Sequence, residues 1–254
     1  DAANGPGLVG LLTVGHDDIS GSAFADDLFG GIGRDTVRGG AGQDTIDGGT
    51  NFDTVDYSGH ETGGVSVNVI NGTAFSGGFV NTNGLYQGGA LEDTLLNLEN
   101  VVGTNFADRL VAGSTSARVE GGGGDDYLFA FSGNDTMFGG DGGDFILAGQ
   151  SSDSLLGEAG NDTLNGGTGF DTLNGGSGAD TADYSDRSGA VGVNLVSGVA
   201  ATGGALNSGG FYAGGFNEDQ LVSIENIIGS AFGDRLVGAA AGSQISGGAG
   251  ADNI

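Results

Sequence analysis

Residues 30–56 divide without remainder into three nines, GGIGRDTVR, GGAGQDTID and GGTNFDTVD. Glycines open each nine, an aspartate stands sixth and a β-branched residue eighth. The frame starts at Gly21, breaks at Tyr57, resumes at Gly103, breaks at Tyr184 and returns at Gly229. It yields sixteen nines in blocks of four, nine and three. Fourteen carry aspartate at position six, the exceptions being Ala117 and Ser243. Position eight is Leu, Ile, Val or Met in fifteen and Ala182 in the other. Repeats of this kind stack and bury a continuous core that no single copy can bury alone.

One nine reads as a short strand and a turn. Positions seven to nine alternate outward, inward, outward, so position eight points to the interior. Glycines in the first six residues permit positive φ and close backbone approach. Two nines make one coil, and the coils stack as parallel strands about 4.8 Å apart. The expectation is an all-β parallel β-roll or β-helix solenoid of about eight coils, two nines to each.

A single inward layer of aliphatic residues is thin against the entropy of ordering 58 glycines. The formal net charge of -27, from 33 acidic residues against six arginines, adds self-repulsion. Cations bound in the turns would offset both. Successive turns on one side stack aspartates and backbone carbonyls, an oxygen-only donor set of the kind calcium prefers. Magnesium demands stricter octahedral geometry, and zinc and copper favour nitrogen and sulfur. The candidate ligands are Asp26, Asp35, Asp44, Asp53, Asp108, Asp126, Asp135, Asp144, Asp153, Asp162, Asp171, Asp180, Asp234 and Asp252, holding multiple calcium ions. Nucleic acid is a poor partner for so acidic a chain. No stretch approaches the ~20 apolar residues of a membrane span. The chain has no cysteine and so no disulfide framework.

The copies GGAGQDTID (39–47), GGTGFDTLN (166–174) and GGAGADNI (247–254) match GGxGxDxUx, where U is a large apolar residue. The sequence resembles the RTX (repeats-in-toxin) nonapeptide family of secreted bacterial proteins. That resemblance implies a right-handed calcium-bound roll, type I secretion, and folding in external calcium at the cell surface or beyond. It also implies a structural role without catalysis in this chain. The alternative is an accessory module of a secreted protease, lipase or polysaccharide epimerase, or of an adhesin.

Two inserts interrupt the nines and repeat each other. DYS (56–58) recurs at 183–185, VSVNVINGTAF (65–75) matches VGVNLVSGVAA (191–201), and LEDTLLNLENVVGTNFADRLV (91–111) matches NEDQLVSIENIIGSAFGDRLV (217–237). The expected organisation is a worn insert ending at 1–20, roll at 21–56, wider coils at 57–102, roll at 103–183, wider coils at 184–228 and roll at 229–254, in one continuous solenoid. The tracts 76–93 and 205–219 read as outward loops. The chain reads as cut from a longer periodic array, and end-to-end stacking into a homopolymer, a filament or surface layer, is a further expectation.

Other residues admit two readings. Glu92, Asp93 and Glu99, with Glu218, Asp219 and Glu225, recur in both inserts, either as an extra calcium site or as a capped, solvated turn. His16 and His60 read as loop histidines. Tyr57 and Tyr184 read as packing where the coil widens, with a carbohydrate platform as the alternative. Threonine recurs at position seven, but Asp27, Tyr127, Phe145 and Ser154 interrupt any flat ice-binding array.

Overall fold

A computed structural model describes residues 13–80, 86–113, 115–202, 205–206, 212–213, 216–239 and 242–254. It shows an all-β chain in two compact units, residues 1–131 and 132–254. In the second unit, Thr136–Asp141, Ser154–Ala159 and Asp171–Ser177 lie side by side in one parallel sheet. Phe145–Leu147, Thr163–Asn165 and Thr181–Asp183 do the same in the other. Leu155 pairs with Leu173 and Leu164 with Ala182, an offset of eighteen residues. The coil is therefore two nines long, as the repeat requires. The first unit repeats this arrangement with Leu28 beside Ile46 and Val37 beside Val55.

Position eight forms the core. Leu28, Val37, Ile46, Val55, Leu110, Val119 and Leu128 are buried in the first unit, and Met137, Ile146, Leu155, Leu164, Leu173, Ala182 and Leu236 in the second. Flanking positions seven and nine are mostly half-buried, as in Tyr127–Leu128–Phe129. Burial of one such aliphatic side chain stabilises by roughly 1.5–3 kcal/mol. With one per nine residues, the layer is as thin as the sequence indicates.

The inserts widen the coil with antiparallel excursions. Val65–Asn68 pairs antiparallel with Thr73–Val80, which pairs antiparallel with Tyr86–Leu96. Tyr86–Leu96 then lies parallel to Asp44–Thr50, returning the chain to the stack. In the second unit Val191–Asn194, Val199–Thr202 and Phe216–Val222 repeat the meander. Much of 76–93 is thus strand, where an outward loop is the sequence expectation; residues 81–85 lie outside the described residues. Tyr57 and Tyr184 are buried at the points of widening, which leaves neither ring available as a carbohydrate platform.

Candidate metal centre

The position-six aspartates turn inward. Thirteen of the fourteen candidates are buried, and Asp252 is half-buried. Each sits at the end of the turn, just before the residue whose N–H returns to the sheet. Oδ1 of an aspartate accepts the backbone N–H of its counterpart eighteen residues earlier. Asp26 donates to Asp44 at 2.8 Å and Asp35 to Asp53 at 2.8 Å. Asp108 donates to Asp126 at 2.7 Å. Asp135 donates to Asp153 at 2.8 Å, Asp144 to Asp162 at 2.9 Å, Asp153 to Asp171 at 2.9 Å and Asp162 to Asp180 at 2.9 Å. Asp234 donates to Asp252 at 2.9 Å. The carboxylates thus form rows, one per turn column, each carboxylate capping the coil before it.

The second oxygen is left over. Oδ2 of Asp35, Asp44, Asp53, Asp153, Asp162, Asp171 and Asp180 is buried and has no hydrogen-bond partner among the described residues. An orphaned buried carboxylate oxygen is strongly unfavourable unless a proton or a cation meets it. Its surroundings are also oxygen. A Cβ on Gly157 would lie under 3 Å from both Asp162 Oδ2 and the Gly175 carbonyl. The same pair recurs at Gly139 with Asp144 Oδ2 and the Gly157 carbonyl, and at Gly30 with Asp35 Oδ2 and the Gly48 carbonyl. Two oxygens thus converge beside position one, which is glycine in thirteen of the sixteen nines and alanine at Ala112, Ala130 and Ala148.

Burial raises the carboxyl pKa values. Desolvation is the largest cause at Asp44, Asp53, Asp108, Asp153 and Asp162, all pushed up to about 6. Asp171 is pushed up to about 8, by desolvation first and then by the Asp219 and Asp153 charges. Among the described residues no three acidic or histidine side chains gather at one point. A cation held here would take carboxylate oxygens together with backbone carbonyls, and such a hard-oxygen set fits calcium.

Not every candidate is alike. In the nines GSAFADDLF, GTNFADRLV and GSAFGDRLV a hydroxyl residue follows the first glycine. The N–H of Ser22 donates to Asp26 Oδ2 at 2.5 Å, that of Thr104 to Asp108 Oδ2 at 2.5 Å and that of Ser230 to Asp234 Oδ2 at 2.6 Å. Their second oxygens are satisfied by the chain, so these three turns are closed where those of Asp35, Asp44, Asp53, Asp153, Asp162, Asp171 and Asp180 are open. The hydroxyl at position two is the sequence signal for this difference.

The inserts continue the rows. Asp44 donates its N–H to Asp93 Oδ1 at 3.0 Å, and Asp171 donates to Asp219 Oδ1 at 3.2 Å. Asp53 donates to Glu99 Oε2 at 2.9 Å, and Asp180 to Glu225 Oε2 at 2.9 Å. The N–H of Asp17 also donates to Asp35 Oδ1 at 2.9 Å. Asp93 and Asp219 meet protein groups on their other oxygen. Tyr57 Oη donates to Asp93 Oδ2 at 2.7 Å, and Arg187 Nη2 lies 3.8 Å from Asp219 Oδ2. His60 Nε2 lies 3.2 Å from Glu92 Oε1, so this histidine faces a buried acid, whereas His16 is exposed. The side chain of Glu218 lies outside the described residues.

The family model of the RTX calcium-binding nonapeptide repeat (4 copies) matches residues 15–55, 102–130, 112–146, 147–182 and 228–254, more than half of the chain. The matches coincide with the three blocks of nines and leave most of both inserts uncovered. No curated protein matches the chain.

Proposed function

The chain belongs to the RTX calcium-binding nonapeptide repeat family, and on that premise we propose that this calcium-binding β-roll is a secreted structural module that folds when it meets external calcium. One observation supports the reading above all: in the rows of buried position-six carboxylates, seven (Asp35, Asp44, Asp53, Asp153, Asp162, Asp171 and Asp180) stand in open turns with one oxygen unmatched by any donor among the described residues. In the central block Asp153, Asp162, Asp171 and Asp180 would hold the ions, together with turn carbonyls such as that of Gly175. Bound calcium would supply the positive charge that these turns lack and would be coordinated by their carboxylate and carbonyl oxygens. The aspartates fix the stacking through Oδ1 and leave Oδ2 for the cation, so binding free energy becomes folding free energy. Without cations the stacked carboxylates repel one another and the thin aliphatic layer is opposed by the entropy of the glycine-rich chain.

The reading assigns the chain a scaffold role rather than catalysis, with export by a type I route as in the secreted bacterial proteins it resembles. End-to-end assembly of copies is the natural extension of a parallel stack, since exposed strand edges template further pairing. Circular dichroism with light scattering, followed from chelated protein through a calcium titration with magnesium as control, tests both. A calcium-specific rise in β signal is the expected result, and concentration-dependent scattering that chelator reverses would identify assembly. A fully folded, calcium-indifferent protein after rigorous chelation would overturn the proposal.

A further inference from the structure

Asp53 and Asp180 are the last position-six aspartates before the two inserts. Their side chains are fully buried, Oδ1 accepts the N–H of Asp35 and Asp162 respectively, and Oδ2 has no partner among the described residues. In the rolls the next coil would supply a position-one carbonyl and another aspartate. Here the insert must supply them, and it does so on a different pattern. A Cβ on Gly48 would meet Asp53 Oδ2 and the Asn97 carbonyl within 3 Å, and one on Gly175 would meet Asp180 Oδ2 and the Ser223 carbonyl. Asn97 and Ser223 carry φ of 49° and 50°, the left-handed region, which turns the short segment back towards the row.

The acid follows two residues later rather than five. Thr54 pairs with Asn100 and Thr181 with Asn226, which puts Glu99 and Glu225 in register with Asp53 and Asp180. Glutamate is one methylene longer than aspartate, and this reach brings Oε2 to the N–H of Asp53 and of Asp180 from the shorter turn. No ion pair involves Glu99 or Glu225 among the described residues, whereas Asp219 lies beside Arg187 and Asp93 accepts the Tyr57 hydroxyl. The rows also stop here. The next coils carry Ala117 and Ser243, the two nines without aspartate, and Asn100 Oδ1 and Asn226 Oδ1 accept the N–H groups of Arg118 and Gln244 instead.

We propose that Asp53 with the Asn97 carbonyl and Glu99, and Asp180 with the Ser223 carbonyl and Glu225, form two further divalent-cation sites, each closing a carboxylate row where the chain leaves the nonapeptide pattern. The inference rests on the calcium-binding reading of the rolls and extends it to residues outside the nonapeptides. The occupant is calcium, since all donors are oxygen and two of the three side-chain and backbone groups at each site are carboxylates.

The test counts calcium ions bound by the full chain at equilibrium, by flow dialysis, in the wild type and in Glu99→Gln/Glu225→Gln. Glutamine keeps an oxygen to accept the N–H of Asp53 and Asp180 but removes the anion, so a purely capping role would leave the count unchanged. The expected result is two fewer ions, or two ions weakened at least tenfold, with the wild-type circular dichroism spectrum in saturating calcium. Glu99→Asp/Glu225→Asp keeps the charge and shortens the arm; it should show the same deficit, and it carries the test if the glutamine variant folds poorly. An unchanged count in both variants overturns the proposal while leaving the nonapeptide sites standing. A wild-type chain that binds no calcium overturns the reading beneath it instead.

Discussion

The backbone N–H of Asp162 donates to Oδ1 of Asp180, 2.9 Å away in the neighbouring coil, while Oδ2 of Asp180 is buried with no donor among the described residues. One carboxylate thus serves two purposes, and substitution separates them. Asp162→Asn keeps an oxygen for the Asp144 N–H and removes the charge. It should fold in excess calcium with a transition midpoint shifted to severalfold higher calcium. Asp162→Ala also strands that buried N–H, which costs about 1–3 kcal/mol more. Equal midpoints for Asn and wild type in a calcium titration would contradict the ligand role.

The raised carboxyl pKa values give a pH dependence with opposite signs in the two ligation states. The folded pKa values of Asp44, Asp53, Asp108, Asp153 and Asp162 are about 6 against an ordinary value of 3.8, and Asp171 reaches about 8. The folded chain therefore binds more protons than the unfolded one. This contribution is fully present below about pH 4 and is lost as pH rises through 6, with Asp171 extending the window towards 8. Calcium-free protein should accordingly gain structure on acidification from pH 7 to pH 4. Calcium affinity should fall over the same range, because protons and calcium compete for the same oxygens. Circular dichroism at fixed chelator and at fixed free calcium checks both signs.

Crowding beside Gly157 makes this glycine costly to replace, although other nines carry alanine at position one. Gly157→Ala would press a methyl group against Asp162 Oδ2 and the Gly175 carbonyl. It should destabilise the calcium-bound roll by about 1–3 kcal/mol, as overpacking does. Gly59→Ala, in the first insert, meets nothing within 4 Å and should stay within about 0.5 kcal/mol of wild type. Denaturant unfolding at saturating calcium compares them.

The aliphatic layer is thin enough that one truncation should be felt along the stack. Leu155 is fully buried and pairs with Met137 and Leu173 in its neighbouring coils. Leu155→Ala should cost roughly 2–5 kcal/mol. Met137→Leu, which conserves volume, should cost less than about 1.5 kcal/mol. Unfolding at fixed free calcium reads the difference.

Much of this arrangement is written in the sequence because the repeat has a period. A nine-residue frame dictates an eighteen-residue register, an inward Leu155 and an inward Asp162. What lies off the frame was harder to read. The alternation of Val65 and Val67 indicates a strand but not that its partner Thr73–Val80 runs antiparallel. Glu99 and Glu225 stand at no nonapeptide position, so their place in the rows emerges only from the pairing of Thr54 with Asn100 and of Thr181 with Asn226. Ala117 and Ser243, irregular in the sequence, become intelligible beside Asn100 and Asn226, whose amide oxygens cap the following coil. The closed turns of Asp26, Asp108 and Asp234 trace to Ser22, Thr104 and Ser230, a local hydroxyl pattern that the spacing of aspartates alone conceals.

The central claim concerns where cations sit, and long-wavelength anomalous diffraction from crystals grown in calcium addresses it directly. The account predicts anomalous peaks inside the turn columns, beside Oδ2 of Asp153, Asp162, Asp171 and Asp180. Peaks confined to exposed acids such as Asp141, with these four oxygens still unligated, would contradict it.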